Sequence, residues 1–207
     1  MRARHFEAIA VAAGLIVWNG LIAPRIPRRV YPLVHGVLAA GLAALTRAPL
    51  GLRPPRVWSG LRLGGAVAAP VIAGVAASTA MPPVRNAMGG RELPETSSGW
   101  LLVRIPIGTV WAEESAFRGA LGTTAAAAFG PAGGRLLQSS AFGLSHIADA
   151  RAAGASVAGT VLVTGVAGWF FALLRERSGS LAAPMLAHLA INEAGALAAI
   201  AVQRRAR

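Results

Sequence analysis

Trp111-Ala-Glu-Glu-Ser-Ala-Phe-Arg-Gly119 sets two adjacent carboxylates and an arginine inside a long apolar segment. Leu101, Leu102, Val103, Ile105, Ile107 and Val110 precede it, and Leu121 follows. An ionised side chain at mid-membrane costs roughly 2.5–3.5 kcal/mol on an insertion scale, and each Leu, Ile, Phe or Val returns only about 0.3–0.6. Glu113, Glu114 and Arg118 together would cost on the order of 8–10 kcal/mol, more than their apolar neighbours return. The segment therefore has to turn these groups away from lipid and into a helix bundle, where an ionisable residue is a functional-site candidate by default.

The rest of the chain agrees with a membrane setting. Hydrophobic residues make up 55% of the 207 positions and charged residues only 14%, where a soluble domain of this size averages about 25% charged. Mean hydropathy is +0.56. The apolar residues come in blocks of membrane-spanning length and show no strand-like alternation. Ala, Gly, Ser and Thr are frequent within the blocks, which suits close helix packing in lipid. The fold class expected is all-α, a polytopic transmembrane bundle of about seven spans, six to eight.

The net charge of +12 does not point to nucleic acid. Every basic residue other than histidine is arginine, and the arginines punctuate the apolar blocks without forming a continuous stripe. No nucleic-acid partner is expected. Distributed over the loops of seven alternating spans, the arginines number nine on each side, so the positive-inside rule gives no orientation. Cysteine is absent, which removes disulfides, thiolate metal sites and cysteine nucleophiles.

Spans are expected at about 6–23, 31–45, 63–80, 100–129, 136–148, 155–174 and 181–202. The first resembles a signal peptide, but Leu21 stands where cleavage after Ala23 would want a small residue, so it reads as a retained span. Pro24 and Pro27 break the chain after it, and an Arg- and Pro-rich turn fills 47–62. Residues 81–99 read as an exposed loop and Gly130–Gly134 as a turn. The chain reads as one integral membrane domain, 1–207, with less specific spans over 1–99 and a motif-bearing core over 100–202.

Three polar groups lie inside these spans: Glu113-Glu114-x-x-x-Arg118, Phe142-x-x-x-His146 and His188-x-x-x-Asn192. Residues four apart share a helix face, so Glu114 should pair with Arg118, and His188 should sit over Asn192. Glu113 points about 100° away and is left to face something else. Each group also has a structural reading: a self-neutralising ion pair, a bundle hydrogen-bonder, an interhelical amide, a packing phenylalanine. Their coincidence on three spans of an otherwise acid-poor chain favours chemistry. Asp149 is the sole aspartate, no His-Glu-x-x-His occurs, and no Gly-x-Ser-x-Gly elbow occurs. Ser145 should diverge from His146 on a helix, which rules out a Ser–His couple. His5 and His35 read as incidental.

The sequence resembles the CPBP family of intramembrane proteases (CAAX protease and bacteriocin-processing, also called Abi). Glu113-Glu114-x-x-Phe-Arg118-Gly-x-Leu, Phe142-x-x-x-His146 and Gly179-Ser-Leu-Ala-Ala-Pro-Met-Leu-Ala-His188-x-x-x-Asn192 carry the resemblance, over about 111–195. It implies a peptidase of the glutamic type, a family often labelled metalloprotease. By that similarity Glu113 and His146 activate the attacking water, His188 and Asn192 stabilise the oxyanion, and Glu114, Arg118 and Phe142 support the site. No cofactor is certain. Glu113, His146 and His188 could form a two-His, one-carboxylate zinc set with water as fourth ligand, or work without metal, and metal-free chemistry is the reading adopted.

Two other classes compete. A non-catalytic scaffold or bacteriocin-immunity protein could bind a partner through the same cavity. A cation or proton transporter would use Glu113 and Glu114, but the sequence shows no internal repeat and no pair of broken half-helices. Replacing Glu113 with Gln separates the first two readings, abolishing hydrolysis and sparing binding. The expected partners are membrane lipid and a hydrophobic peptide or membrane-protein substrate. The Ala- and Arg-rich, Lys-free composition points to a bacterial cytoplasmic membrane, where prenylated substrates are not expected.

Overall fold

The computed structural model describes residues 1–94 and 97–205. Among these it is all helix, with no strand. Helix α1 (Arg2–Val17) continues through a π turn (Trp18–Ile22) and a short 3-10 turn (Ala23–Arg25). Helix α2 is Tyr31–Leu45, α3 Arg56–Ser78 and α4 Pro82–Gly89. The stretch 97–121, here α5, opens at Ser97–Gly99 and is π-wound over Trp100–Trp111 and Glu114–Leu121. Helices α6 (Gly122–Ser145), α7 (Ile147–Ala152), α8 (Val157–Ser178) and α9 (Ala182–Arg205) follow. The molecule is an all-α helical membrane bundle: Arg2–Arg25, Arg56–Ser78, Val157–Ser178 and Ala182–Arg205 are long and apolar enough to cross a bilayer, and Tyr31–Leu45 is apolar but shorter. Leu45, Leu102, Leu162 and Val163 are exposed on its outside, as suits a bundle solvated by lipid, where only backbone and polar groups need internal partners.

The π winding has a local cause. Pro106 lies inside it; proline has no N–H to give and its ring crowds the carbonyl one turn back, and a wider i→i+5 turn relieves that crowding. Beyond Leu121 the helix runs straight into α6 and breaks at Gly130, whose φ of 73° and ψ of 173° suit glycine, with Pro131 next. The chain then folds back on itself. A Cβ on Gly134 would come within 2.5 Å of the Ala126 nitrogen, and eight residues further Phe142 meets Phe117, eight residues before Ala125. This hairpin brings the second motif beside the first.

Small residues set the other close contacts. Gly60 and Gly64, spaced four apart on α3, face Ser180–Leu186 so closely that a Cβ at either would sit within 2.7–2.9 Å of atoms of Ser180 or of the start of α9, the small-xxx-small packing favoured in lipid. On α6, Gly143 abuts the Val161 carbonyl and Gly165 of α8. The start of α9 is fixed by Leu181 N–H donating to the Leu50 carbonyl at 2.9 Å, and by Gly179, left-handed at φ 67°, which ends α8. The third motif is thereby set in place.

The span boundaries agree with the expectations at 31–45, at the 130–134 turn, and within one to four residues for the last two spans. Two regions differ. The third helix begins at Arg56, since Arg56 and Arg62 sit on its exposed surface within the span expected to be a turn. The interval 81–99 is not simply a loop: Pro82 and Pro83 open α4, proline being well suited to a first helical turn, and Gln203 of α9 donates to the Met88 carbonyl in its last turn and to the Arg91 carbonyl beyond it.

Candidate active site

Glu113 and Glu114 face different worlds. Glu114 is wholly buried, with Oε1 3.2 Å from Arg118 Nη1 and 2.8 Å from His188 Nδ1. The Arg118 guanidinium, itself fully buried, lies 3.9 Å over the Phe142 ring and 5.0 Å from that of Phe171. The two rings hold it flat by cation–π contact. Phe171 in turn stacks on His188 with centroids 5.1 Å apart. Gly168 leaves the room for this, since a Cβ there would stand 3.2 Å from Arg118 Nη2 and 3.0 Å from Phe142 Cδ1. The expected Glu114–Arg118 pair is present, and Phe142 packs against both it and His146.

Glu113 keeps 16% of its side chain exposed, and its Oε2 has no hydrogen-bond partner. His146 Nε2 stands 4.0 Å and His188 Nε2 3.9 Å from that same oxygen. The other ring nitrogens are committed: His146 Nδ1 to the Phe142 carbonyl at 2.8 Å, His188 Nδ1 to Glu114. Both Nδ1 atoms must carry the proton to meet such acceptors, so in the neutral rings both Nε2 lone pairs aim at Glu113. Three groups from three spans thus surround a gap too wide for direct hydrogen bonds, which end near 3.2 Å.

Zinc has to be weighed here by its donors. Two imidazoles and a carboxylate are the set zinc takes, and His ligands oriented through their second nitrogen are usual in such sites. The separations of 3.9 and 4.0 Å are wider than the ~3.3–3.5 Å expected between ligand atoms bonded tetrahedrally at about 2.0–2.2 Å. No cluster of three metal-holding side chains is drawn together among the described residues. The donor chemistry fits, and the spacing would have to close by about half an ångström.

Asn192 takes another place. Its Nδ2 donates back to the His188 carbonyl at 3.1 Å, and its side chain lines a separate polar cavity with Arg104 and Thr109. Two expectations need correcting. Ser145 does meet His146: Oγ is 3.3 Å from Nδ1, because α6 ends at Ser145 and His146 leaves helical geometry at φ −91°, ψ 6°. The hydroxyl nevertheless donates to the Phe142 carbonyl at 2.8 Å. His35 is not isolated: it is buried, stacks on Tyr31 at 3.8 Å, and lines a cavity of about 690 Å³ with Glu113. That cavity is almost wholly apolar and is walled by Val11, Gly14, Val37, Leu38, Gly41 and Leu42 of α1 and α2. Sequence reasoning also passed over Arg104, an arginine between Val103 and Ile105 whose guanidinium lies 5.1 Å over the Tyr31 ring. Its signal was an intramembrane charge with no acid at helical spacing.

Comparison with known proteins bears on the half of the chain that holds these residues. No curated protein and no solved structure gives a significant match to the chain. Residues 95–194 match the family model described as Rce1-like, type II CAAX prenyl endopeptidase. The match runs from the start of α5 through His188 and Asn192, just under half of the chain, and over that segment the chain is similar to the CAAX-protease family.

Proposed function

We propose that the CAAX-type intramembrane protease indicated at family level works through water held by Glu113, His146 and His188, on hydrophobic, membrane-associated peptides. The observation that carries this reading is the convergence of two imidazole Nε2 atoms on one unpartnered carboxylate oxygen. Water in that gap would donate one proton to Glu113 and the other to His146 Nε2. Glu113 takes its proton as the water oxygen bonds to the scissile carbonyl carbon. The carbonyl oxygen becomes an oxyanion, and His188 can donate to it through Nε2 when both ring nitrogens carry protons, Nδ1 donating to Glu114. The C–N bond then breaks, Glu113 returns the proton to the leaving nitrogen, and a carboxylic acid and an amine result. Asn192 would join as the oxyanion's second donor by releasing the His188 carbonyl.

Were zinc bound, Glu113, His146 and His188 would hold it, and it would lower the pKa of the water and polarise the carbonyl. The apolar cavity between α1 and α2 ends at Glu113 and suits a substrate entering sideways from lipid, most simply in a bacterial cytoplasmic membrane. The test is hydrolysis of quenched hydrophobic peptides by the purified protein and by Glu113→Gln, with and without chelator, metal content being assayed on the same samples. Turnover lost in Glu113→Gln and indifferent to chelator, in metal-poor protein, is the expected result. Loss on chelation with rescue by zinc would make the same residues a metal site. No turnover from folded protein would favour a binding role.

A further inference from the structure

The far end of the α3–α9 seam takes no part in the proposed chemistry. There α3 ends at Ser78, α4 spans Pro82–Gly89, and α9 reaches Arg205. A polar pocket of about 690 Å³ lies between them, with Thr79, Arg85, Asn86 and Arg205 in its walls. From it an apolar groove of about 330 Å³ runs between α3 and α9, past Ile72, Ala76, Leu197 and Ala201 to Ala194. Pocket and groove share Thr79, Val202 and Arg205, so they form one continuous recess.

Both arginines are exposed, and neither lies within 4.0 Å of a described carboxylate. Helices α3 and α4 contain no acid, and Glu193, the one acid of α9, stands about 18 Å along the helix from Arg205. Arg85 is pinned over the end of α3. Its Nε donates to the Thr79 carbonyl at 3.2 Å and its Nη2 to the Ala80 carbonyl at 3.5 Å, which leaves Nη1 uncommitted among the described residues. Two like charges in the wall of one pocket repel each other, and an anion between them reverses that cost.

We propose that this recess binds an anionic phospholipid, with Arg85 and Arg205 holding its phosphate and one acyl chain lying in the groove between α3 and α9. Depth identifies the occupant. Arg56–Ser78 and Ala182–Arg205 are both long and apolar enough to cross a bilayer, so the level at which they finish together is the membrane–water interface, where lipid phosphates lie. From Arg205 to Ala194 the recess descends about 16 Å along α9, close to the ~15 Å of hydrocarbon in one leaflet. Ile72 and Leu197 are half exposed beside it, so a chain can enter from the side. A free phosphate would leave the apolar groove empty, whereas a phospholipid fills both parts, and basic pockets between spans are a recurring mode of headgroup recognition. The same helix α9 carries His188 and Asn192, and Gln203 ties its last turns to the Met88 and Arg91 carbonyls. A lipid held across α3, α4 and α9 therefore clamps the helix that presents the third motif.

The test uses the full chain purified in detergent, with bound lipid counted by native mass spectrometry as phosphatidylglycerol or phosphatidylcholine of the same acyl chains is added. The wild type should take its first phosphatidylglycerol about tenfold more tightly than phosphatidylcholine, whose choline offsets the phosphate charge. Arg85→Gln combined with Arg205→Gln should bring the two lipids to nearly equal affinity. Ala201→Phe, which fills the groove, should weaken both. Arg56→Gln, at the other end of α3, should leave the preference intact. Melting temperatures without added lipid check folding, and if the double variant does not fold, Arg205→Gln alone should lose most of the preference. Equal affinities in the wild type, a preference that survives the Gln variants, or one lost equally in Arg56→Gln overturns the site. Displacement of the lipid by glycerol phosphate would make the pocket a site for free phosphate, and a dimer that added lipid does not dissociate would make the groove a contact between copies. Either result also overturns it. None of these readings needs peptide hydrolysis, so failure of the peptidase chemistry leaves the test standing.

Discussion

Glu114 is sealed from solvent between Arg118 at 3.2 Å and His188 at 2.8 Å, whereas Glu113, one residue earlier on the same helix, meets two imidazole nitrogens near 4 Å and no hydrogen-bond donor. The first carboxylate is balanced by a cation, and its cost of burial is offset within the bundle. The second has its charge left over and aimed, with two lone pairs, at a gap that opens onto a cavity. On the proposed mechanism, adjacent residues of identical chemistry are divided into brace and reagent by the 100° that separates them on a helix. Exchanging either for its amide should therefore produce opposite failures. Glu113→Gln should keep the melting temperature of the detergent-purified protein and lose at least ~10²–10⁴-fold in hydrolysis, the range for removing a general base. Glu114→Gln should strand Arg118 without a counter-charge and cost about 3–5 kcal/mol of stability. A folded, stable Glu114→Gln protein with only its activity reduced would end the division of labour.

The brace can be strained without touching a charge. Gly168 of α8 leaves a Cβ only 3.2 Å from Arg118 Nη2 and 3.0 Å from the Phe142 ring. Gly168→Ala should push Phe142 and Arg118 apart, with a loss of about 1–3 kcal/mol typical of overpacking, and lower kcat because the His146 and His188 rings both meet the Phe142 ring edge-on. Thermal melts and kcat measured on one preparation check this. Unchanged values for both would mean that the stack does not position the histidines.

Much of this was legible in the sequence. The four-residue spacings of Glu114–Arg118, Phe142–His146 and His188–Asn192 are local helix geometry, and the prohibitive cost of unpaired charge in lipid forces these faces inward wherever the helices lie. Gly130-Pro131 is the one strong break in a long apolar run, so the hairpin could be read too. What could not be read depends on approach between distant segments. The cavity between α1 and α2 leaves no signal in its apolar residues, since Val37 or Leu38 facing a cavity looks like Val or Leu facing lipid. His35 seemed isolated because its partners Tyr31 and Trp18 act through ring stacking and not through charge. Pro82-Pro83 lies in the interval expected to be an exposed loop, yet it begins a helix.

The cavity offers a gentler way to probe the open side of the comparison. Gly14 of α1 and Gly41 of α2 both line it, and a Cβ on either meets nothing within 4 Å. Gly41→Leu should therefore fill space without a clash, leaving stability unchanged or raised by a few tenths of a kcal/mol, since glycine is also a poor helix residue. If substrates reach Glu113 through this cleft, KM should rise by roughly tenfold while kcat for bound substrate stays near wild type, the signature of lost uniform binding. A short peptide should be hindered less than a long apolar one. Equal kinetics for both in Gly41→Leu and the wild type would close this route and send the search for an entrance to the polar side.

The smallest effect expected is at Ser145, and it is the most useful for the chemistry. The hydroxyl lies 3.3 Å from His146 Nδ1, close enough to invite a serine-nucleophile reading. Its proton, however, goes to the Phe142 carbonyl at 2.8 Å, and the His146 Nδ1 proton goes to that same carbonyl. Neither atom can then abstract a proton from the other, and Ser145 is only 3% exposed, with no room for a substrate carbonyl. Ser145→Ala should cost only about two- to threefold in kcat, by loosening the turn that presents His146, and about 1 kcal/mol in stability for one lost hydrogen bond. His146→Ala should cost orders of magnitude. A Ser145→Ala protein as inactive as His146→Ala, or one no longer labelled by a serine-directed phosphonate that labels the wild type, would move the nucleophile from water to Ser145 and leave Glu113 without its proposed role.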